Sequence, residues 1–168
     1  FWGREVFGWD GFTIGLTLSA YGILIAVVQA GVLPRLTRRY GDYRTLVLAV
    51  TAAIIGFLGF GAANAVWIVA IVLPIAALSD MAPPLLTAFA ANRVGEDEQG
   101  LVQGVIASLS SVAAVAAPLA LTGVFERAVN SPSYYRPGAP FFLAALLIVA
   151  ILPLIFRLRR VETSVQAE

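Results

Sequence analysis

Apolar residues run along this chain in five long blocks separated by short polar segments, covering residues 13–33, 45–64, 65–91, 101–124 and 138–156. Each is close to or above the roughly 20 residues that an α-helix needs to cross a bilayer core about 30 Å thick. The blocks are too continuous for barrel strands, which would alternate apolar and polar positions over about ten residues. The pattern predicts an all-α polytopic membrane protein with five transmembrane helices.

Composition supports that reading and excludes others. The chain is 60% hydrophobic and 12% charged, whereas a globular domain carries about 45–50% and about 25%. There is no cysteine and no histidine, which removes disulfides, thiol chemistry and the usual zinc or haem ligation. No metal or cofactor is expected, and a net charge of +1 gives no basis for binding nucleic acid. Five crossings are an odd number, and the chain opens Phe1-Trp2-Gly3 without an initiator methionine. It reads as a fragment with further helices upstream.

The polar segments alternate in charge. Arg35, Arg38, Arg39, Arg44, Arg93, Arg157, Arg159 and Arg160 fall on one side of the predicted helices, and only Arg4, Arg127 and Arg136 on the other. Excess positive charge marks the cytoplasmic side. The 34–44 segment, the 92–100 segment and the C-terminus are therefore expected inside the cell. Trp2, Trp9, Trp67, Tyr134 and Tyr135 fall on the outer side, where amphipathic rings favour the membrane interface.

One residue breaks the apolar pattern. Asp80 stands near the middle of the 65–91 block, and an acid at that depth costs roughly 2.5–3.5 kcal/mol on insertion scales. Pro83 and Pro84 follow it, removing two backbone donors within one turn. Together they predict a locally opened helix beside a cavity. On a continuous helix Leu73, Ala76, Ala77, Pro84 and Thr87 share the Asp80 face, a surface of small residues suited to the wall of an aqueous pocket. Alternatively, Asp80 pairs with an arginine or a backbone donor outside this chain.

Other interruptions have two readings each. Gln29, in the first block, either contacts substrate or hydrogen-bonds a neighbouring helix. Pro74 and Pro118 free the carbonyls of Ala70 and Ala114 and are expected to interrupt their helices. Gly11, Gly15, Gly22 and Gly31, then Gly56, Gly59 and Gly61, then the Gly100-x-x-x-Gly104 pair are expected at close helix–helix contacts, where small residues let backbones approach. In the 33–45 segment Gly41 supports a tight turn, and Arg38, Arg39, Asp42 and Arg44 are placed to pair with helix ends. Glu96, Asp97 and Glu98 make the other inner segment acidic, as suits a loop before a helix N-terminus.

Spaced motifs then point to a family. Trp9-Asp10-x-x-Thr13-Ile14-Gly15-x-x-Leu18-x-Ala20-Tyr21-Gly22-Ile23, followed by Gln29-Ala30 and Gly41-Asp42, strongly resembles the tetracycline-efflux branch of the major facilitator superfamily. Gln99-Gly100-Leu101-Val102-Gln103-Gly104 and Ala117-Pro118 fit as well. The resemblance covers nearly the whole chain and implies the eighth to twelfth helices of a twelve-helix drug/proton antiporter. Gly41, Asp42 and Arg44 then match the latter part of the second copy of that superfamily's signature loop, which helps set the inward/outward equilibrium. Pro34 stands where its first glycine is usual, and Arg38 where an acid stands in the better-kept copy. Ala117-Pro118 resembles the Gly-Pro step of antiporter helices. The acid that tetracycline exporters carry in the ninth helix falls at Ala53, whereas Asp80 lies in the tenth.

The expected function is secondary active transport: proton-coupled efflux of a drug-like small molecule by alternating access, without covalent chemistry. Asp80, Thr87, Gln29 and Pro84 are the candidate substrate or proton pathway, and Arg38, Gly41, Asp42 and Arg44 the conformational loop motif. Expected partners are a small-molecule substrate, protons, membrane lipid and the missing N-terminal half of the transporter. The resemblance implies a bacterial inner membrane. A metabolite or sugar transporter of the same fold, or a non-transporting membrane scaffold, are the alternatives.

Overall fold

A computed structural model describes residues 2–95, 97–130 and 135–165, with side chains described as far as Arg157. Expectations resting on Glu96, on Tyr134 and on the side chains of Arg159 and Arg160 lie outside the described residues. A short helix α1 (Trp2–Phe7) precedes α2 (Gly11–Val27), a π-helical turn (Val28–Val32) and α3 (Leu33–Tyr40). Then follow α4 (Asp42–Ala62), α5 (Val66–Ser79), α6 (Ala82–Ala91), α7 (Gln99–Val129) and α8 (Ala139–Val165). Five stretches are long and apolar enough to cross a membrane: Gly11–Tyr40, Asp42–Ala62, Val66–Ala91, Gln99–Val129 and Ala139–Arg157.

The first span starts sharply. Asp10 is extended, and its carboxylate accepts from the Thr13 N–H at 2.8 Å, capping one of the free amides of α2. The Thr13 side chain and N–H hold the Asp10 carboxyl below the usual carboxylate range. At the far end the structure corrects the sequence. Residues 33–40 are not a loop: the helix runs on to Tyr40, and Gly41 alone separates it from α4. The π-turn explains how the helix survives Pro34. The Leu33 N–H reaches back five residues to the Val28 carbonyl, which widens the helix just before a residue with no N–H to give. At about 45 Å for 30 residues, this span exceeds the hydrocarbon core, and its basic last turns project beyond it.

The core gathers around α4. Leu46, Ala49 and Val50 of α4 pack with Val28 of the π-turn, Ala77 of α5, Met81, Leu85 of α6 and Ile155 of α8, and all are buried. Gly56 and Gly59 bring α5 close. A Cβ on Gly56 would meet the Ala76 backbone at 3.3 Å, and one on Gly59 would meet Val72 Cγ2 at 2.6 Å. Gly61 does the same for the start of α8, where its backbone lies against Gly138. These three glycines act at close contacts, as small residues do in lipid. Gly11, Gly15, Gly22, Gly100 and Gly104 do not: within the described residues nothing lies within 4 Å of a Cβ built on them. They sit on α2 and α7, neither of which buries a residue.

Pro74 and Pro118 also depart from expectation. Each lies inside a helix that continues through it, α5 and α7 respectively. The third span breaks elsewhere, between Ser79 and Ala82.

The predicted outer segments meet at one end of the molecule. Trp2 packs edge-on against Phe60 of α4 and Phe141 of α8, with ring centroids 6.2 and 5.1 Å apart. The Tyr135 hydroxyl donates to Glu5 at 3.1 Å.

Candidate functional site

Two irregular backbones face one another across the first and third spans. α5 ends at Ser79, with Asp80 as its C-cap, and Met81 is the N-cap of α6. Here the Asp80 and Met81 amides donate three residues back, to Ala77 and Leu78, at 3.3 Å each. Pro83 and Pro84 then occupy the first turn of α6, where missing N–H groups do least harm. Met81, the chain's one methionine, is fully buried at the break. Its unbranched side chain suits an irregular gap.

The break leaves a specific group unsatisfied. In a continuous helix the Asp80 carbonyl would accept from the N–H four residues on, but that residue is Pro84. Instead the Gln29 side chain, carried by the π-turn, donates Nε2 to the Asp80 carbonyl at 3.3 Å. Eight residues earlier, the Tyr21 hydroxyl of α2 donates to Asp80 Oδ2 at 2.6 Å. That is a short, charge-assisted geometry. Among the described residues no arginine reaches the carboxylate, and its partner is this phenol. Asp80 is half-buried and Gln29 exposed.

Of the other predicted pathway residues, Pro84 lies at the break itself, and Thr87 follows on α6 with its side-chain bond inside that helix. Thr87 is half-buried, and its hydroxyl turns back to the Pro83 carbonyl at 3.0 Å. Pro84 is exposed and acts through the donor it lacks. The expected pocket wall of small residues is also corrected. Ala76 and Ala77 are buried, Ala76 against Gly56 and Ala77 in the cluster around α4, so they serve helix packing.

A cavity of about 300 Å³ lies instead on the other side of Tyr21. Trp2, Trp9, Phe57, Phe60 and Phe141 give it aromatic walls, and Thr17, Leu73 and the Tyr21 ring complete it towards the membrane middle. A cavity beside the Asp80 helix is expected from sequence, but Tyr21 and the aromatic lining are not singled out there. A tyrosine inside an apolar helix was the available signal, since a buried phenol needs a partner. Its pairing with a residue 59 positions away has no local signature.

The loop motif forms a separate feature at the junction of α3 and α4. Gly41 has φ +80° and ψ 165°, a region essentially restricted to glycine. Its carbonyl accepts from the N–H and the hydroxyl of Thr45, at 3.2 and 2.8 Å. Arg38 does not reach across the turn, because its Nε donates back to the Pro34 carbonyl at 3.3 Å. Asp42 opens α4, where a negative charge favours the helix N-terminus, and Arg44 is exposed.

Comparison with known proteins agrees with this architecture. The family model described as Major Facilitator Superfamily matches residues 1–118. The chain belongs to the Major Facilitator Superfamily. Among curated relatives of this superfamily chain, the class G tetracycline resistance protein of Vibrio anguillarum is 31% identical over 93% of the chain and 39% of the relative. The class C tetracycline resistance protein of Escherichia coli is 28% identical over 92% of the chain and 38% of the relative. The mouse hippocampus abundant transcript 1 protein is 24% identical over 91% of the chain and 36% of the relative. The chain thus spans about two fifths of the length of these proteins. No solved structure matches it.

Proposed function

We propose that this chain is the C-terminal transmembrane half of a proton-coupled transporter that exports a drug-like small molecule by alternating access. The observation that carries the proposal is Asp80. It is a half-buried acid at a helix break in the middle of a membrane span, held by a phenol and, among the described residues, not by a cation. An acid retained at that depth without a fixed counter-charge suits a group that gains and loses a proton. Breaks of this kind are tolerated at membrane depth where the backbone is buried in protein or lines a cavity. Efflux, as the direction, is supported by relatives described as tetracycline resistance proteins.

In this reading the carboxyl alternates between charged and protonated forms as the site faces each side of the membrane. Substrate, protons, lipid and the remainder of the transporter are the partners. The arginine asymmetry supports an inner-membrane orientation with the C-terminus in the cytoplasm. No bond in the substrate is made or broken, so the protein acts as a carrier and not as an enzyme.

The test is Asp80→Asn in the full-length transporter. The amide cannot cycle its charge, so substrate binding should persist while proton-driven accumulation is lost. Uphill pumping at the normal rate in this variant would place the coupling acid elsewhere.

A further inference from the structure

The aromatic cavity beside α2 has a roof made by a separate element. Trp2 and Gly3 of α1, and Trp9 in the turn that follows, line its outer end. α1 is six residues long and buries none of them. It joins α2 through Gly8, whose φ of +66° lies in the left-handed region that favours glycine. Aromatic contacts and an exposed hydrogen bond hold it in place. Trp2 meets Phe60 and Phe141 edge-on, Trp9 stacks on Phe7 with centroids 5.2 Å apart, and the Tyr135 hydroxyl donates to Glu5.

Behind this roof the lining is almost entirely apolar, and among the described residues no charged side chain belongs to it. Its two hydroxyls are already committed. Tyr21 donates to Asp80 at 2.6 Å, and Thr17 to the Thr13 carbonyl at 2.8 Å. The indole N–H groups of Trp2 and Trp9 are the side-chain donors left. A molecule rich in polar groups would give up its water there and find few partners. A flat apolar molecule gives up little, and contacts between rings favour it over a flexible chain of equal area. At about 300 Å³ the cavity meets the lower end of the roughly 300–1,000 Å³ typical of small-molecule sites.

We propose that this cavity is a binding site for a planar, apolar small molecule, reached from the outer side of the membrane and covered by α1 as a lid. The site does not depend on Asp80 being the coupling acid. Its walls come from α2, α4, α5 and α8, so an occupant bridges four spans near their outer ends. These walls are anchored. Tyr21, Leu24 and Ile25 of α2 pack against the buried core around α4, and Gly59 of α4 is in close contact with Val72 of α5. The lid is therefore the part that moves, and a site whose walls are already in place loses little in ordering them.

The test uses the full-length protein in lipid nanodiscs, with bromonaphthalene as a contact quencher of tryptophan fluorescence. The signal from Trp2 and Trp9 is the part of the quenching that disappears in the Trp2→Phe, Trp9→Phe double variant. Bromonaphthalene should quench this part saturably, and about tenfold or more tightly than bromooctane, which has the shape of a lipid chain. Thr17→Phe and Leu73→Phe fill the cavity from opposite helices, and each should weaken binding by about tenfold or more. Glu5→Ala removes the acceptor of the Tyr135 bond and should speed release of the probe several-fold. Equal quenching by the two bromides, or binding unaltered in both filled variants, overturns the site. Absence of any saturable quenching would mean that the rest of the protein fills the cavity, and overturns it as well. Release from Glu5→Ala at the wild-type rate overturns the lid.

Discussion

Single residues at the centre of this molecule act through what the neighbouring backbone lacks. Pro84 cannot donate to the Asp80 carbonyl, so Gln29 does so from another span. The two should therefore be coupled energetically. Gln29→Leu should destabilise the folded protein by about 0.5–1 kcal/mol, the usual size of an interhelical bond in a membrane protein. In a Pro84→Ala background the restored N–H at position 84 can satisfy the same carbonyl, and Gln29→Leu should then cost much less. A double-mutant cycle followed by unfolding in detergent checks this, and strict additivity would mean that Gln29 does not compensate for Pro84. The sequence marked Gln29 as a polar residue with two readings. Only the structure shows it serving a helix neighbour, and a particular one.

At the scale of elements, the junction between α3 and α4 turns on one backbone conformation. Gly41 at φ +80°, ψ 165° lies where any side chain costs about 1–3 kcal/mol. The space around it is open, so the cost is torsional and not steric. Gly41→Leu should reduce flux more than it reduces the amount of folded, inserted protein, because this turn sets how the first and second spans meet. Measuring transport per inserted molecule separates the two effects, and an equal loss of both would leave the turn a purely structural role. Glycine at this position was legible as a turn from sequence. The helix running right up to it was not, because Pro34 is ordinarily a stop signal, and the π-turn that absorbs it has no pattern of its own. The opposite error occurred at Pro74 and Pro118, read as interruptions but accommodated within continuous helices. A proline's effect in a membrane helix depends on which neighbours satisfy the freed carbonyl, and those neighbours are remote in sequence.

For the whole molecule, the arginine asymmetry makes a topological prediction independent of any site. The chain contains no cysteine, so single cysteines can be introduced cleanly within it. Asn130→Cys, between the fourth and fifth spans, should react with an impermeant maleimide added to intact cells. Asn92→Cys, between the third and fourth, should react only after the membrane is opened. The reverse pattern would invert the orientation and put the basic turns of α3 outside.

Five spans and the superfamily were determined by the sequence itself. Hydrocarbon thickness fixes the length of an apolar helix, and the motifs from Trp9 to Gly104 lie in local order along the chain. The anomaly at Asp80 and the opened helix around it were also legible, because an acid and two prolines are local departures from an apolar run. What the tertiary structure alone decided is which groups meet there. Asp80 bonds Tyr21 and, through its backbone, Gln29, while Ala76 and Ala77 turn towards α4 and not towards a pocket. The break between Ser79 and Ala82 ends the regular helical repeat, so positions beyond it no longer share the face that 3.6 residues per turn assigns them. Partners across spans are set by how helices pack, and packing follows shape over the whole bundle, which no single stretch of sequence encodes.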